Sequence, residues 1–424
     1  NSMLEELSAK NLLSFRDEMC LSFEATNDMM GEDQLVATMP DGKRLLRLGM
    51  IYGANASGKS NVLFILNSLK RFWNFVQKDI DAATGWVPFR FDVETPSLPT
   101  ELTLRFYVKG IRYWYFLRLT ERQVIEEKLS YYSSNRPTML FHRIMEDDRL
   151  LLNVNPSVNK LDDTELKQLQ INCFDNMSFF AARSQVNIPL RYIDDAREWM
   201  RVQVLDTVDP DLRMFDYAKS KIETTPELLP YLLEKLHSSD FNITGLQTER
   251  QASDIPVEMI KMINEASDIS DEMKRNLLTD LQAKFEHTVY NSRGKEKYVL
   301  EDGWESRGTR RMIGIESVIF RANQIKALLP IDEIESSLHP ALIERVLYDF
   351  LKRGGESQLL ITTHYDYLLD LVNDLIRKDC VWFAEKGLDG ASTLYSLTEF
   401  AGLNKLSSLQ RAYRGGRFGA TPNI

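Results

Sequence analysis

The sequence has 424 residues, 43% hydrophobic and 27% charged, ordinary proportions for a globular chain with a sizeable core and two or three domains. Its 62 acidic residues outnumber its 52 basic ones, and the formal net charge of −10 argues against a broad nucleic-acid-binding surface, leaving only a local basic groove for that role. Three scattered cysteines, Cys20, Cys173 and Cys380, form neither a metal-ligand spacing nor a disulfide framework, and no apolar run reaches membrane-spanning length; a reducing cytoplasm and no membrane partner are expected.

In chain order, residues 4–15 and 18–25 read as two strands joined by a polar turn at Arg16-Asp17. Residues 46–52 form an apolar run with the character of a buried strand. From residue 61 to 77, Val62, Leu63, Ile65, Leu66, Leu69, Trp73 and Val76 recur at helical spacing. Between strand and helix stands Gly53-Ala54-Asn55-Ala56-Ser57-Gly58-Lys59-Ser60, of the form G-x-x-x-x-G-K-[ST]. That is the context a phosphate-binding loop requires. Glycines let the backbone curl so that successive N–H groups point at a polyphosphate, and the helix N-terminus adds partial positive charge. Lys59 reaches toward β- and γ-phosphates in such a loop, and Ser60 offers its hydroxyl to Mg²⁺. Gly53, Asn55, Ala56, Ser57, Gly58, Lys59, Ser60 and Asn61 are the candidate contacts to a bound polyphosphate; a chance glycine turn is the alternative.

Residues 85–99 carry Gly85, Pro88, Pro96 and Pro99 and read as a loop. From Glu101 the pattern has period two, and segments 102–108, 112–119, 124–132 and 139–143 form an antiparallel meander. Segments 164–169, 194–202, 211–220, 226–237, 257–266 and 272–285 look helical. No repeat or long heptad run is visible, so no long coiled-coil arm is expected. Strand character returns at 288–291 and 297–300, followed by alternating helices and strands to about residue 400. The expected division is a first lobe at 3–145, a mostly helical insertion at 146–285 and a second lobe at 286–424.

The second lobe carries the rest of the chemistry. Leu328 to Ile331 is an apolar strand ending in Asp332-Glu333. A carboxylate at that strand end suits the Mg²⁺ shell, and the next one suits a general base acting on water. A surface turn with two acids is the bland reading. Pro330 removes one ladder N–H from a strand expected to be central. Ser336 to Pro340 follows, and the strand from Gln358 ends in Thr362-Thr363-His364. His364 at a strand end can hydrogen-bond a γ-phosphate; a capped or buried histidine is the alternative. Glu305 to Arg311 opens a helix with Ser306 as N-cap. Ser306 and Gly308 either make a second anion site, facing a nucleotide held by another subunit, or simply cap a helix. The tail sets Arg411, Arg414 and Arg417 beside Tyr413 and Phe418. It is either a partner-binding segment or a packed C-terminus.

Together these residues resemble the ABC-type branch of P-loop ATPases, in the style of RecF and SMC. Asn11 to Phe15 is similar to that branch's N-terminal strand motif, Gly53 to Ser60 to its Walker A, Ser306-Arg307-Gly308-Thr309 to its signature, Ile331-Asp332-Glu333 to Walker B, Ser336 to Pro340 to the D-loop and His364 to the switch histidine. The fold implied is α/β, a mixed sheet with an antiparallel β lobe, split here by the helical insertion. More narrowly the chain resembles the AAA_15 group of bacterial ATPases, often called abortive-infection AbiLi-like. The supporting stretches include Pro88 to Asp92, Leu140 to Arg143, Trp382 to Lys386 and Gly416 to Ala420. Arg307 stands where a small residue is usual, with Glu305 before the serine, and Tyr365 where many relatives have an acid. Arg90 and Asp92 are the candidates for an unplaced Q-loop.

The resemblance implies a Mg²⁺-dependent ATP hydrolase working as a homo-oligomer, with Lys59, Glu333 and His364 as catalytic residues and Ser60 and Asp332 as metal ligands. It also implies control of a separate effector, a nuclease or toxin, in anti-phage abortive infection, as in PARIS-type pairs, with a phage-encoded trigger. Only 60 residues follow His364, too few for a fused nuclease domain of ordinary size. A RecF-like DNA-binding repair ATPase is the rival, and a salt-dependent gel shift separates it; acids outnumber bases between Glu223 and Asp280, against it. A non-hydrolysing scaffold with ATP as structural glue is the third reading.

Overall fold

The computed structural model describes residues 1–211, 214–239 and 242–421. The start of the helix expected at 211–220 and the last three residues of the tail lie partly outside them. The chain forms two compact units: residues 1–210, 322–335 and 347–424, and residues 211–321 and 336–346.

The first unit begins with β1 (Met3–Lys10) and β2 (Met19–Ser22), then a small hairpin of β3 (Val36–Thr38) and β4 (Arg44–Leu46). The five residues of β5 (Leu48–Tyr52) are all buried, as their unbroken apolarity predicts for an interior strand. The helix Lys59–Asn74 follows. The meander is β6 (Thr100–Val108), β7 (Ile111–Leu119), β8 (Val124–Tyr132), β9 (Pro137–Glu146) and β10 (Arg149–Val154). With β1 and β2 it makes a seven-stranded antiparallel sheet in the order β10-β9-β8-β7-β6-β1-β2. Alternate residues of β7 (Tyr113, Tyr115, Leu117 and Leu119) are buried, the signature of a strand with one covered face. The Lys59–Asn74 helix belongs to this layer: Trp73 stacks on Phe180 at 3.9 Å and meets Tyr115 edge-on at 4.8 Å. Burying one such ring stabilises the fold by roughly 1.5–3 kcal/mol. Inside the meander, the fully buried Glu127 carboxylate accepts from Tyr115 (2.9 Å), Ser178 (2.6 Å) and the Phe179 amide (2.8 Å) and faces Arg143. Its charge is thereby satisfied rather than stranded.

The second unit contains β11 (Ile243–Ala252), β12 (Thr279–Asn291) and β13 (Gly294–Glu301), a three-stranded antiparallel sheet in that order. Helices Met214–Thr224 and Leu228–Ser239 bury Ala218, Leu232 and Leu236 beside the sheet's Leu246, Ala283 and Phe285. One expectation is corrected here. The helix expected at 272–285 ends at Leu278, and residues 279–285 are strand. Met273, Leu277 and Leu278 carried the helical spacing, but Ala283 and Phe285 are buried at period two because β12 pairs with β11. Tertiary pairing overrode local propensity. Helices predominate among the described residues of 146–285, but the segment also carries β10, β11 and the start of β12.

The chain then completes a second sheet of the first unit with β14 (Leu328–Ile331), β15 (Gln358–Thr363), β16 (Val381–Lys386) and β17 (Ser392–Ser396). Its order is β14-β15-β5-β16-β17, parallel except for β17. Here Pro330 finds its explanation. β14 is the sheet's terminal strand, and the Pro330 carbonyl accepts from Val208 N–H at 3.0 Å on the side away from β15. Its missing N–H thus faces an irregular segment, where no ladder bond is lost. Gln358 joins the two sheets: its amide oxygen accepts from Leu4 N–H at 2.7 Å and its amide nitrogen donates to the Leu4 and Leu46 carbonyls.

The C-terminal segment is folded in, the second of the two readings its sequence left open. Helix Leu409–Arg414 buries Tyr413, and Phe418 is 1% exposed; both rings stack on Phe383. Arg414 is tied to Asp366 at 2.6 Å.

Candidate functional site

β5, β14 and β15 run parallel, so their carboxyl ends open at the same edge of the sheet. That edge is where open α/β sheets take ligands. The loop after β5 is built on close approach. A Cβ on Gly53 would lie 2.4 Å from the Ala384 carbonyl oxygen and from Ser57 Oγ. Gly58 has φ +108°, and a Cβ there would meet Ser392 Oγ at 2.5 Å. No other residue fits either position. Asn55, Ala56 and Ser60 are exposed at the loop surface, whereas Ser57, Gly58 and Lys59 are buried. Asn61 turns away and donates to Ser14 Oγ at 2.8 Å.

Lys59 is 4% exposed and its Nζ donates to the Gly53 and Ala54 carbonyls at 2.8 and 2.9 Å. Burial lowers its pKa, while the carboxylates of Glu333, Asp332 and Glu335 act in the opposite sense. Ser57 Oγ is buried with no hydrogen-bond partner among the described residues. A buried amine resting on loop carbonyls and an orphaned hydroxyl beside it form a cradle with polar capacity to spare.

Asp332 leaves β14 with Oδ1 accepting from Ser60 Oγ at 3.0 Å and from the Thr362 hydroxyl. Glu333 has φ +46°, a left-handed backbone held by its own N–H donating to Thr362 Oγ1 at 2.8 Å. The turn aims its carboxylate at His364, whose Nε2 lies 3.7 Å from Glu333 Oε1. Two residues missed in the sequence shape this arrangement. Thr362 binds both Asp332 and the Glu333 backbone. Glu335 accepts the His364 N–H at 2.5 Å, and its Oε2 is buried without a partner among the described residues. The only signal for Glu335 was an acid two residues beyond Glu333. A pocket of about 560 Å³ opens here, lined by residues 54–57, His364, residues 384–386, Ala420 and Thr421.

Ser306 and Gly308 belong to the second unit. Ser306 Oγ accepts the Thr309 N–H at 3.0 Å and caps helix Arg307–Ile325. A Cβ on Gly308 would lie 3.1 Å from the Ser337 carbonyl, so the helix start and the 336–340 turn are neighbours. Glu305, the unusual acid before the serine, is taken up by His287 at 2.5 Å. Arg90 pairs with Glu121, and the Asp92 carboxylate accepts the Glu94 N–H.

Residues 50–172 and 216–370, well over half of the chain, match the family model AAA_21, described as AAA domain, putative AbiEii toxin, Type IV TA system. The chain belongs to the AAA_21 family. Every candidate residue from Gly53 to Asn61, together with Ser306, Gly308, Asp332, Glu333 and His364, lies within the matched stretches. The AAA_21 chain is similar to the SMC head domain from Thermotoga maritima at 12% identity and a TM-score of 0.42, over 93% of this chain and 98% of that one. It is also similar to an SmcHead bound to the C-winged helix domain of ScpA, at 14% identity and a TM-score of 0.40, over 97% and 99% of the two chains. A third is an Smc head domain with an extended coiled coil, bound to the C-terminal domain of ScpA derived from Pyrococcus furiosus (13%, 0.38, 98% and 99%). No curated protein matches the chain.

Among the described residues of this AAA_21 protein, no group of three His, Cys, Asp or Glu side chains could hold a metal ion by itself. The Ser60–Asp332 pair instead suits a cation that draws its remaining ligands from phosphate oxygens and water. No described helix is long and apolar enough to cross a membrane.

Proposed function

We propose that this protein hydrolyses ATP as an ABC-type switch in which two copies share each nucleotide. The observation that carries the reading is the convergence of Lys59, the Ser60–Asp332 contact of 3.0 Å and the Glu333–His364 pair at the end of one sheet. Lys59 binds the β- and γ-phosphates, for which it exchanges its contacts to the Gly53 and Ala54 carbonyls. Ser60 and Asp332 would hold Mg²⁺, which would supply positive charge against the phosphate oxygens. Glu333 accepts a proton from the attacking water, and His364 Nε2 contacts the γ-phosphate while restraining the Glu333 carboxylate. Ser306 and the Gly308 amide, at a helix N-terminus, face the γ-phosphate of a nucleotide bound by the second copy.

The switch acts on a separate effector, a nuclease or toxin, in abortive infection provoked by a phage-encoded trigger. The resemblance to AAA_15 and PARIS-type ATPases supports this, and the family description places such domains in Type IV TA systems without naming a separate effector. Binding of ATP closes the pair and hydrolysis reopens it, each state presenting a different surface to the effector. The deciding experiment is mass measurement of wild type and Glu333→Gln with and without ATP and Mg²⁺. The expected result is a stable dimer or larger even assembly for Glu333→Gln with ATP. A protein that binds no nucleotide, or binds it with no change in mass, defeats the reading.

A further inference from the structure

Outside the nucleotide site, the most unusual surface is β13. It is the terminal strand of its sheet, hydrogen-bonded on one side only, to β12. Seven of its eight residues are exposed and none is buried. Tyr298, Val299 and Leu300 are 48%, 62% and 40% exposed, against the usual preference of such side chains for burial. An eight-residue strand with a free edge and bare apolar side chains is a template for another strand.

The charges along β13 identify that other strand. Lys295 and Glu301 sit near its two ends; no close ion pair holds either among the described residues, since Lys284, the β12 residue opposite Glu301, is drawn to Glu249 at 2.6 Å. Lys297 is already engaged by Glu286 at 2.9 Å. A two-fold axis normal to the sheet requires residues on the same face to oppose one another, so allowed registers differ by steps of two. In the register centred on Tyr298, Lys295 opposes Glu301 of a second copy at both ends, and the two Tyr298 rings meet in the middle. Glu296 then faces Leu300, and Lys297 faces Val299, with no like charges opposed. A step one way sets Lys297 against itself; a step the other way opposes Glu301 to Lys297, which Glu286 already engages, and leaves Lys295 facing Gly303, beyond the end of the strand.

We infer that β13 pairs antiparallel with β13 of a second copy of this chain, in the register that opposes Lys295 to Glu301, and that this contact forms without nucleotide. The edge lysines discourage indiscriminate pairing while permitting this one. The contact is separate from the ATP-dependent one proposed above and does not rest on it. Two isologous contacts on one chain would allow assemblies beyond a dimer.

The test is sedimentation equilibrium on the full chain carrying Lys59→Ala, without nucleotide, so that failure of the nucleotide reading cannot imitate failure here. Concentration-dependent dimerisation is expected. Lys295→Glu and Glu301→Lys should each weaken it about tenfold, and the double exchange should restore it. Thermal melts check that each variant is folded. A protein that stays monomeric at every concentration overturns the proposal and leaves the edge to a strand of a different protein. Dimerisation indifferent to both single exchanges, or unrestored by the double one, also overturns it.

Discussion

Ser60 and Asp332 are 272 residues apart in the chain and 3.0 Å apart in the fold. Neither residue is remarkable alone: one is an exposed serine at a helix start, the other an acid at a strand end. Their contact exists because β15 lies between β5 and β14 and all three run in the same direction. Parallel pairing sets the ends of the strands, and with them the two side chains, at one edge of the sheet.

Glu333→Gln should lower ATP turnover about 10²–10⁴-fold and leave ATP binding intact, because the amide keeps the size of the side chain but cannot take a proton. Phosphate release and nucleotide affinity, measured side by side, check this. A wild type with no turnover would instead favour the scaffold reading.

Glu335 acts through His364. Glu335→Ala should lower turnover by up to roughly tenfold with little change in ATP affinity, since the exposed hydrogen bond that places the His364 backbone N–H is worth about 0.5–1.5 kcal/mol net. Glu335→Gln keeps an acceptor oxygen and should recover most of the rate. Equal losses in both variants would show that the charge matters rather than the hydrogen bond to His364.

Phe418 anchors the C-terminal segment. It is 1% exposed and stacks on Phe383 at 5.5 Å. Phe418→Ala should destabilise the first unit by about 3–5 kcal/mol, visible as a lower Tm or denaturant midpoint. A truncation from residue 410 would also expose Phe383, so lost partner binding in such a variant has to be read against lost stability.

Acid should release the same segment. Burial raises the pKa of Asp366, but hydrogen bonds from Arg414 and Gln410 more than reverse this and leave it lowered. A carboxylate held below its unfolded value contributes stability that is present above about pH 4 and is lost as pH falls through the folded value. Docking of the segment, followed by hydrogen exchange at Tyr413, should therefore be constant near neutrality and weaken only below about pH 4. Asp366→Asn should remove this dependence.

Some of this was legible because it is local. The glycine spacing of residues 53–60, the apolar run of β5 and the period-two meander are written in short windows, where sterics and burial act on neighbours in sequence. The strand at 279–285 was not legible, because Ala283 and Phe285 are strand residues only in the presence of β11. Pro330 looked misplaced until β14 proved to be a terminal strand. Whether Arg414 and Phe418 bind a partner or pack against the chain stayed open, because nothing near them in sequence shows Asp366 or Phe383. Thr362 and Glu335 went unnoticed for the same reason: their partners are Asp332 and His364, about thirty residues away in each case.

By itself, then, the sequence determined the phosphate-loop motif, the strand-to-helix setting that gives it meaning, and the residue types that accompany it. The tertiary structure alone decided that Thr362 steadies Asp332 and Glu333, that Glu335 holds His364, that the tail is packed away and that β13 keeps an open edge. The physical reason is that periodicity and turn chemistry depend on a few successive residues. Hydrogen bonds between strand ends depend on strand order, which no short stretch of chain contains.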